Sequence, residues 1–318
     1  RTLASLDLLS NGRACWNVVT SSTNFEACNF GLTSIPDKDE RYDRADEVLM
    51  ACDALWNCWE RDALIMDKTS GRFADPDKVR YADFKGKYVS TKGPLTMPHS
   101  PQGRPVILQA GSSPKGRDFA AKWAEAIFCA ATGIASCVEF YADIKKRMQQ
   151  HGRPPEGCAV LPAISVVLGE TEAIAREKAD YLNSLVDSDM SNAYGSAMLG
   201  VDMAKVKSVD DLAAAKGNQG HGGLEDNMRR IVKDQGVSLE EANRRSHSLI
   251  VGTPIMVADY MEEMFRARGC DGFVLQGNVT PTMFEELGRI VVPELQSRGL
   301  LRTSYSGSTM RENLLGAD

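Results

Sequence analysis

PVILQAGSSPKGRDFAA, residues 105–121, changes its period halfway along. Residues 106–110 are apolar almost without interruption, the pattern of a strand buried on both faces. From Gly116 to Glu125 the pattern is helical. Between them stand Gly111, Ser112, Ser113 and Pro114. Pro114 suits a first helical turn, where its missing N–H costs nothing. A strand that runs straight into a helix start leaves bare amides and the positive end of a helix dipole at the strand's carboxyl end. Ser112 and Ser113 add hydroxyls there, and Lys115 and Arg117 add charge, so a phosphate would be well held. The competing reading is a serine N-cap with no ligand.

The same unit repeats outward from this stretch. Strands are expected at residues 13–20, 106–110, 126–130, 159–168 and 272–275. Helices are expected at residues 39–59, 116–125, 135–150, 171–186, 257–268 and 283–298. Alternation of this kind implies a parallel sheet. Five strands suffice for a doubly wound sheet, but a (β/α)8 barrel needs three more units in front. Residues 1–10 already read as an amphipathic helix with Leu3, Leu6 and Leu9 on one face. A chain that opens inside a helix favours the barrel, with its first three βα units lacking. One partial barrel domain is expected, with excursions at residues 61–104 and 187–247. The first carries a small hairpin near Tyr88–Ser90, and the second is partly helical, glycine-rich at residues 217–223 and placed to act as a lid.

The 318 residues carry a net charge of −6 with both signs interspersed, which argues against nucleic acid as a main partner. No apolar run approaches the ~20 residues of a membrane span, and no signal peptide is visible. The eight cysteines form no C-x-x-C pair, and several lie in apolar runs. They read as reduced thiols of a cytoplasmic protein without a zinc site.

Other candidates are weaker. Asn17 is polar inside an apolar run and suits either a barrel-mouth contact or a satisfied buried amide. Tyr42 opens a helix and suits either a ligand contact or the core. His221 is flanked by glycines in the second excursion and is either a substrate contact or a solvated loop residue. P-loop, nucleophile-elbow, zincin and dinucleotide fingerprints are absent.

Taken together, GRACWNVVTS (12–21), DERYDRADEVLMACDALW (39–56), FADPDKVRYADFKGKYVS (73–90), PVILQAGSSPKGRDFAAKWAEAIF (105–128), VGTPIMVADYMEEMFRARGCDGFVL (251–275) and VVPELQSRGLLRTSYSGSTMRENLLG (291–316) resemble the luciferase-like flavin-dependent monooxygenases. Within that superfamily they are most similar to the nitrilotriacetate, EDTA, dibenzothiophene-sulfone and long-chain-alkane branch. The resemblance runs the length of the chain in the family's order.

It implies a (β/α)8 barrel with FMN at the carboxyl ends of the strands, lacking roughly a hundred residues of the family's front. It implies a two-component monooxygenase: reduced FMN comes from a separate NAD(P)H:flavin reductase, reacts with O2 to a flavin C4a-peroxide, and oxygenates a small organic substrate. Position by position, Tyr42 and Ser112 match flavin-phosphate residues, with Ser113, Gly111 and Ala110 beside them. Asn17 and Val19 match the strand end that lines the flavin. The family often has a histidine four residues before the tyrosine; here it is Lys38, which would pair with a phosphate as a point charge or face solvent. Relatives suggest dimers or tetramers. The alternatives are a truncated, inactive flavin-binding relative, a deazaflavin-dependent reductase, and a phosphosugar barrel.

Overall fold

Strand order decides between the two sheet architectures. The structure is a computed structural model that describes residues 1–21, 24–215, 222–244 and 248–316. In chain order the elements are α1 (Thr2–Leu9), β1 (Cys15–Asn17), α2 (Asn24–Cys28) and α3 (Lys38–Trp56). Two antiparallel hairpins follow, β2 (Leu64–Asp67) with β3 (Arg72–Ala74), and β4 (Phe84–Lys85) with β5 (Ser90–Thr91). Next come β6 (Val106–Gln109), α4 (Pro114–Trp123), β7 (Ala126–Cys129), α5 (Ile134–Gln150), β8 (Ala159–Leu168) and α6 (Glu172–Ser184). The second excursion holds α7 (Ser188–Leu199), α8 (Val209–Ala214), α9 (Gly222–Gln235) and α10 (Leu239–Arg244). The chain closes with β9 (Leu249–Gly252), α11 (Pro254–Arg266), β10 (Val274–Leu275), α12 (Thr282–Glu286), α13 (Val292–Ser297) and α14 (Met310–Leu315).

The parallel strands lie in the order β1-β6-β7-β8-β10, with β9 also on β8. That is the order in which the chain makes them. The ten residues of β8 serve three neighbours in turn: Ala159–Pro162 with β7, Ala163 and Ile164 with β10, and Ser165–Leu168 with β9.

Among the described residues, the helices that follow the strands pack on one face of this sheet. Trp16 and Ile107 are register partners and both pack with α3 and α4. Ile127 and Val160 are register partners and both pack with α4 and α5. Ile164, Val166 and Leu168 pack with α11 and α12. Alternation then turns Cys15, Asn17, Leu108, Phe128, Leu161, Ala163 and Ser165 to the opposite face. A doubly wound sheet reverses strand order and covers both faces. Consecutive order with helices on one face is the wall of a barrel-type fold, here an arc whose ends, β1 and β10, do not pair.

Several expectations are corrected. Leu6 and Leu9 do not form a buried face of α1: they are 51% and 86% exposed, while Ala4 and Asp7 are buried. The Asp7 carboxylate holds α1 by accepting from Ser100 Oγ (2.5 Å), Gln102 Nε2 (2.6 Å) and the Ala14 amide (3.1 Å). β9 was not foreseen, because a four-residue apolar run beside Gly-Thr-Pro has too few periods to declare itself. The last helix is broken by a π turn at Leu287–Val291, just before Pro293, whose ring and missing N–H cannot continue an α-helix. The second excursion is more helical than expected and has its own core, in which Leu199, Met203, Leu212, Met228 and Ile231 pack together. Among the described residues, no helix is long and apolar enough to cross a membrane.

Candidate functional site

β6 ends at Gln109, and α4 begins five residues later at Pro114. Ser113 caps α4, its Oγ accepting from the Gly116 amide at 3.2 Å. The cap reading of this serine is therefore correct, and it leaves the hydroxyl proton free to donate. Ser112 is half-buried, and its hydroxyl has no hydrogen-bond partner among the described residues.

Tyr42 reaches the same place from α3. Its ring packs with Val18, Ile107 and Phe119, the Phe119 centroid lying 5.4 Å away. The side chain is only 6% exposed, yet its hydroxyl makes no hydrogen bond among the described residues. A buried hydroxyl without a partner is costly, so one supplied from outside would relieve it. The hydroxyl sits over two glycines. A Cβ at Gly111 would come within 2.8 Å of it, and one at Gly116 within 2.7 Å. These glycines keep open a cradle that side chains would fill.

The charges near the cradle are arranged differently from expectation. Lys115 is paired with Asp43 at 2.6 Å and Arg117 with Asp143 at 3.1 Å, so neither is a spare cation. The Gly111 amide is also engaged, donating to Gln109 Oε1. Lys38 is half-buried one turn before Tyr42 on α3, hence on the same face, and among the described residues it makes no ion pair or hydrogen bond.

β1 and β6 are parallel neighbours, with Asn17 opposite Leu108, so their carboxyl ends meet. Asn17 and Ala110 are exposed there, and Val19 is 69% exposed. Asn17 is thus not a buried, satisfied amide. It stands on the helix-free face, where a ring system could lie against it. His221 falls outside the described residues.

A larger space lies beside the cradle rather than in it. A cavity of about 1300 Å³ is bounded by Thr132 and Ile134 after β7, Ser165 on β8, Leu249–Val251 on β9, Asn278 after β10, and Arg229, Arg230 and Lys233 on α9. Thr132 Oγ1 donates to Asn227 Oδ1 at 2.6 Å, which pins α9 over the carboxyl end of β7. Tyr260 of α11 lines the same space, and burial pushes its phenol pKa up to about 12. Behind it lie two buried thiols. Hydrogen bonding to Cys137 lowers the pKa of Cys129, and the same bond together with burial raises that of Cys137. Neither the cavity nor the thiol pair was visible in the sequence, because both depend on residues distant along the chain.

An arc of parallel strands with a helix start at the carboxyl end of one strand is the layout in which barrel-type folds place their sites. The chain belongs to the luciferase-like monooxygenase family, whose model matches residues 1–272. It is 40% identical over 323 residues to dibenzothiophene-sulfone monooxygenase of Rhodococcus erythropolis, covering 99% of this chain and 71% of that one. It is 37% identical over 324 residues to nitrilotriacetate monooxygenase component A of Aminobacter aminovorans, again covering 99% and 71%. A crystal structure of riboflavin lyase with modified FMN and riboflavin superposes with a TM-score of 0.89 at 31% identity, covering 99% of this chain and 70% of that one.

Proposed function

We propose that the protein is the oxygenase of a two-component system, taking reduced FMN from a separate NAD(P)H:flavin reductase and inserting one oxygen atom of O2 into a small organic substrate. The observation that carries this is the unpartnered, buried Tyr42 hydroxyl held over Gly111 and Gly116. Its family supports the same reading. So do the riboflavin lyase structure, which contains a modified FMN, and the nitrilotriacetate relative, whose name makes it one component of several.

The residues fit FMN. Tyr42, Ser112 and Ser113 would donate hydroxyl protons to the phosphate, and Lys38 would supply its counter-charge. Asn17, Val19 and Ala110 would border the ring at the strand ends. When bound, reduced FMN supplies the electrons that activate O2, and that chemistry belongs to the cofactor. The protein's share is to bind, orient and keep water out. Leu108, Phe128 and Leu161, on the helix-free face, give the ring a largely apolar floor. This division of labour accounts for a site in which the described residues form no metal-ligand cluster. We further propose that the six parallel strands, one more than the sequence reading counted, are staves of the family's eight-stranded barrel.

The test is flavin affinity. Ser112→Asp places a negative charge at the cradle and is expected to weaken reduced-FMN binding by at least ~2 kcal/mol, roughly thirtyfold, in an anaerobic fluorescence titration. Unchanged affinity would mean that the phosphate lies elsewhere. In the same preparation, a panel of sulfones, amines, alkanes and carboxylates offered with NADH and a flavin reductase should show oxygenation only when FMN is present. Flavin binding without turnover of any member of that panel would instead support an inactive flavin-binding protein.

A further inference from the structure

The cavity beside the cradle contains a cation that makes no ion pair among the described residues. Asn227 is 4% exposed and holds α9 down through Thr132. Arg230 is three residues further on, so it shares that inward face and lines the cavity. It is half-buried and makes neither an ion pair nor a hydrogen bond among the described residues. Its neighbour Arg229 is satisfied by Glu225 at 2.5 Å. The carboxylates of Glu139, Asp234 and Glu241 line the same space; the first two are exposed to water, Glu241 is half-buried, and none of the three forms an ion pair with Arg230 among the described residues. Lys233, one turn beyond Arg230, is exposed on this wall and makes no ion pair among the described residues. Two adjacent like charges repel each other, and a half-buried guanidinium without a partner is disfavoured. A bound anion would relieve both.

The rest of the wall sets the shape of that anion. Ile134, Ile231, Leu249, Ile250 and Val251 give one side an apolar lining. The Tyr260 hydroxyl has no hydrogen-bond partner among the described residues and stays protonated at neutral pH, so it is a donor available to an acceptor in the cavity. We propose that this cavity binds the substrate as an organic anion, its apolar body on β9 and α9 and its carboxylate-type head on Arg230, with Tyr260 and Lys233 as further donors. The assignment of this ligand as substrate rests on the oxygenase reading, whereas the binding itself needs no flavin.

The experiment measures octanoate against octan-1-ol, by calorimetric titration of the flavin-free protein. Octanoate is expected to bind at least about tenfold more tightly. Arg230→Gln should remove that preference while leaving octan-1-ol binding as it was, which also shows that the variant is folded. Arg230→Lys should restore part of the preference. Equal affinity for the two probes, or full octanoate affinity in Arg230→Gln, would overturn the proposal. FMN affinity in Arg230→Gln should stay at the unmutated value. A failure of the flavin reading would appear in the FMN titration, independently of the octanoate result.

Discussion

Gly116 is the third residue of α4 and has an ordinary helical backbone, so steric room rather than backbone freedom explains why it is glycine. In an open helix, Gly→Ala would gain about 1 kcal/mol. Here the new methyl would meet the Tyr42 hydroxyl at 2.7 Å and the Gly111 Cα at 3.1 Å. Gly116→Ala is therefore expected to lower stability by about 1 kcal/mol, the usual scale of overpacking, and to lower FMN affinity. In a Tyr42→Phe background the obstructing oxygen is gone, and the same substitution should become neutral or stabilising. Denaturant melts of the four proteins in this cycle decide it: additive effects would show that the two residues do not touch. At this scale the sequence showed the hydroxyls of Ser112 and Ser113, because turn chemistry is local. It did not show that Asp43 and Asp143 neutralise Lys115 and Arg117, since those carboxylates arrive from other helices. Nor did it show Arg230, whose meaning comes from the absence of a partner in three dimensions.

Among the elements, α3 does two jobs. Its first turn presents Lys38 and Tyr42, and its middle anchors the first excursion. The Glu47 carboxylate accepts from the amides of Lys87 (2.8 Å), Tyr88 (2.6 Å) and Val89 (2.6 Å). Burial disfavours its charge, but these three amides outweigh that and hold its pKa below the ordinary glutamate value. Gly86 lies so close to Glu47 that any Cβ there would collide with it. The β4–β5 hairpin is only two residues long on each side and has little else to order it. Glu47→Ala is expected to free the hairpin, raising amide exchange at residues 86–91 by about tenfold or more while leaving the exchange of β6 and β7 as it was. Exchange unchanged at 86–91 would show that the loop is held by other contacts. Element type was legible wherever several periods were present, as in the helices at 38–56 and 134–150 and the strand at 159–168. It was not legible for β9, or for the first helix, where Asp7 rather than leucine is the buried anchor.

Across the whole molecule, the singly wound sheet places Cys158 and Cys270 between strands and helices, away from water, and half-buries the Tyr260 phenol at the cavity wall. Burial pushes Cys158 up to about 12, Cys270 up to about 12 and Tyr260 up to about 12. Each then holds its proton in the folded state beyond the pH at which the unfolded chain releases it, near 9 for the thiols and 10 for the phenol. Above pH 9 the native state binds more protons than the unfolded one, so stability falls as pH rises, by up to about 1.4 kcal/mol per pH unit for each such group. Below pH 9 both states are protonated at these sites, and the contribution is complete and constant. The expected result is a melting temperature that is flat in this respect between pH 7 and 8.5 and falls progressively from pH 9 toward 12. Cys158→Ala removes one of the three groups, and its curve should fall less steeply over the same window, whatever cost its cavity adds at neutral pH. Thermal melts at half-unit steps, for both proteins, check the sign and the window. A melting temperature that holds to pH 11 would mean that these groups reach water in the native state. The thiol layer between the strands and their single layer of helices would then be open, and the assignment of that face as the sealed side of the wall would fail with it.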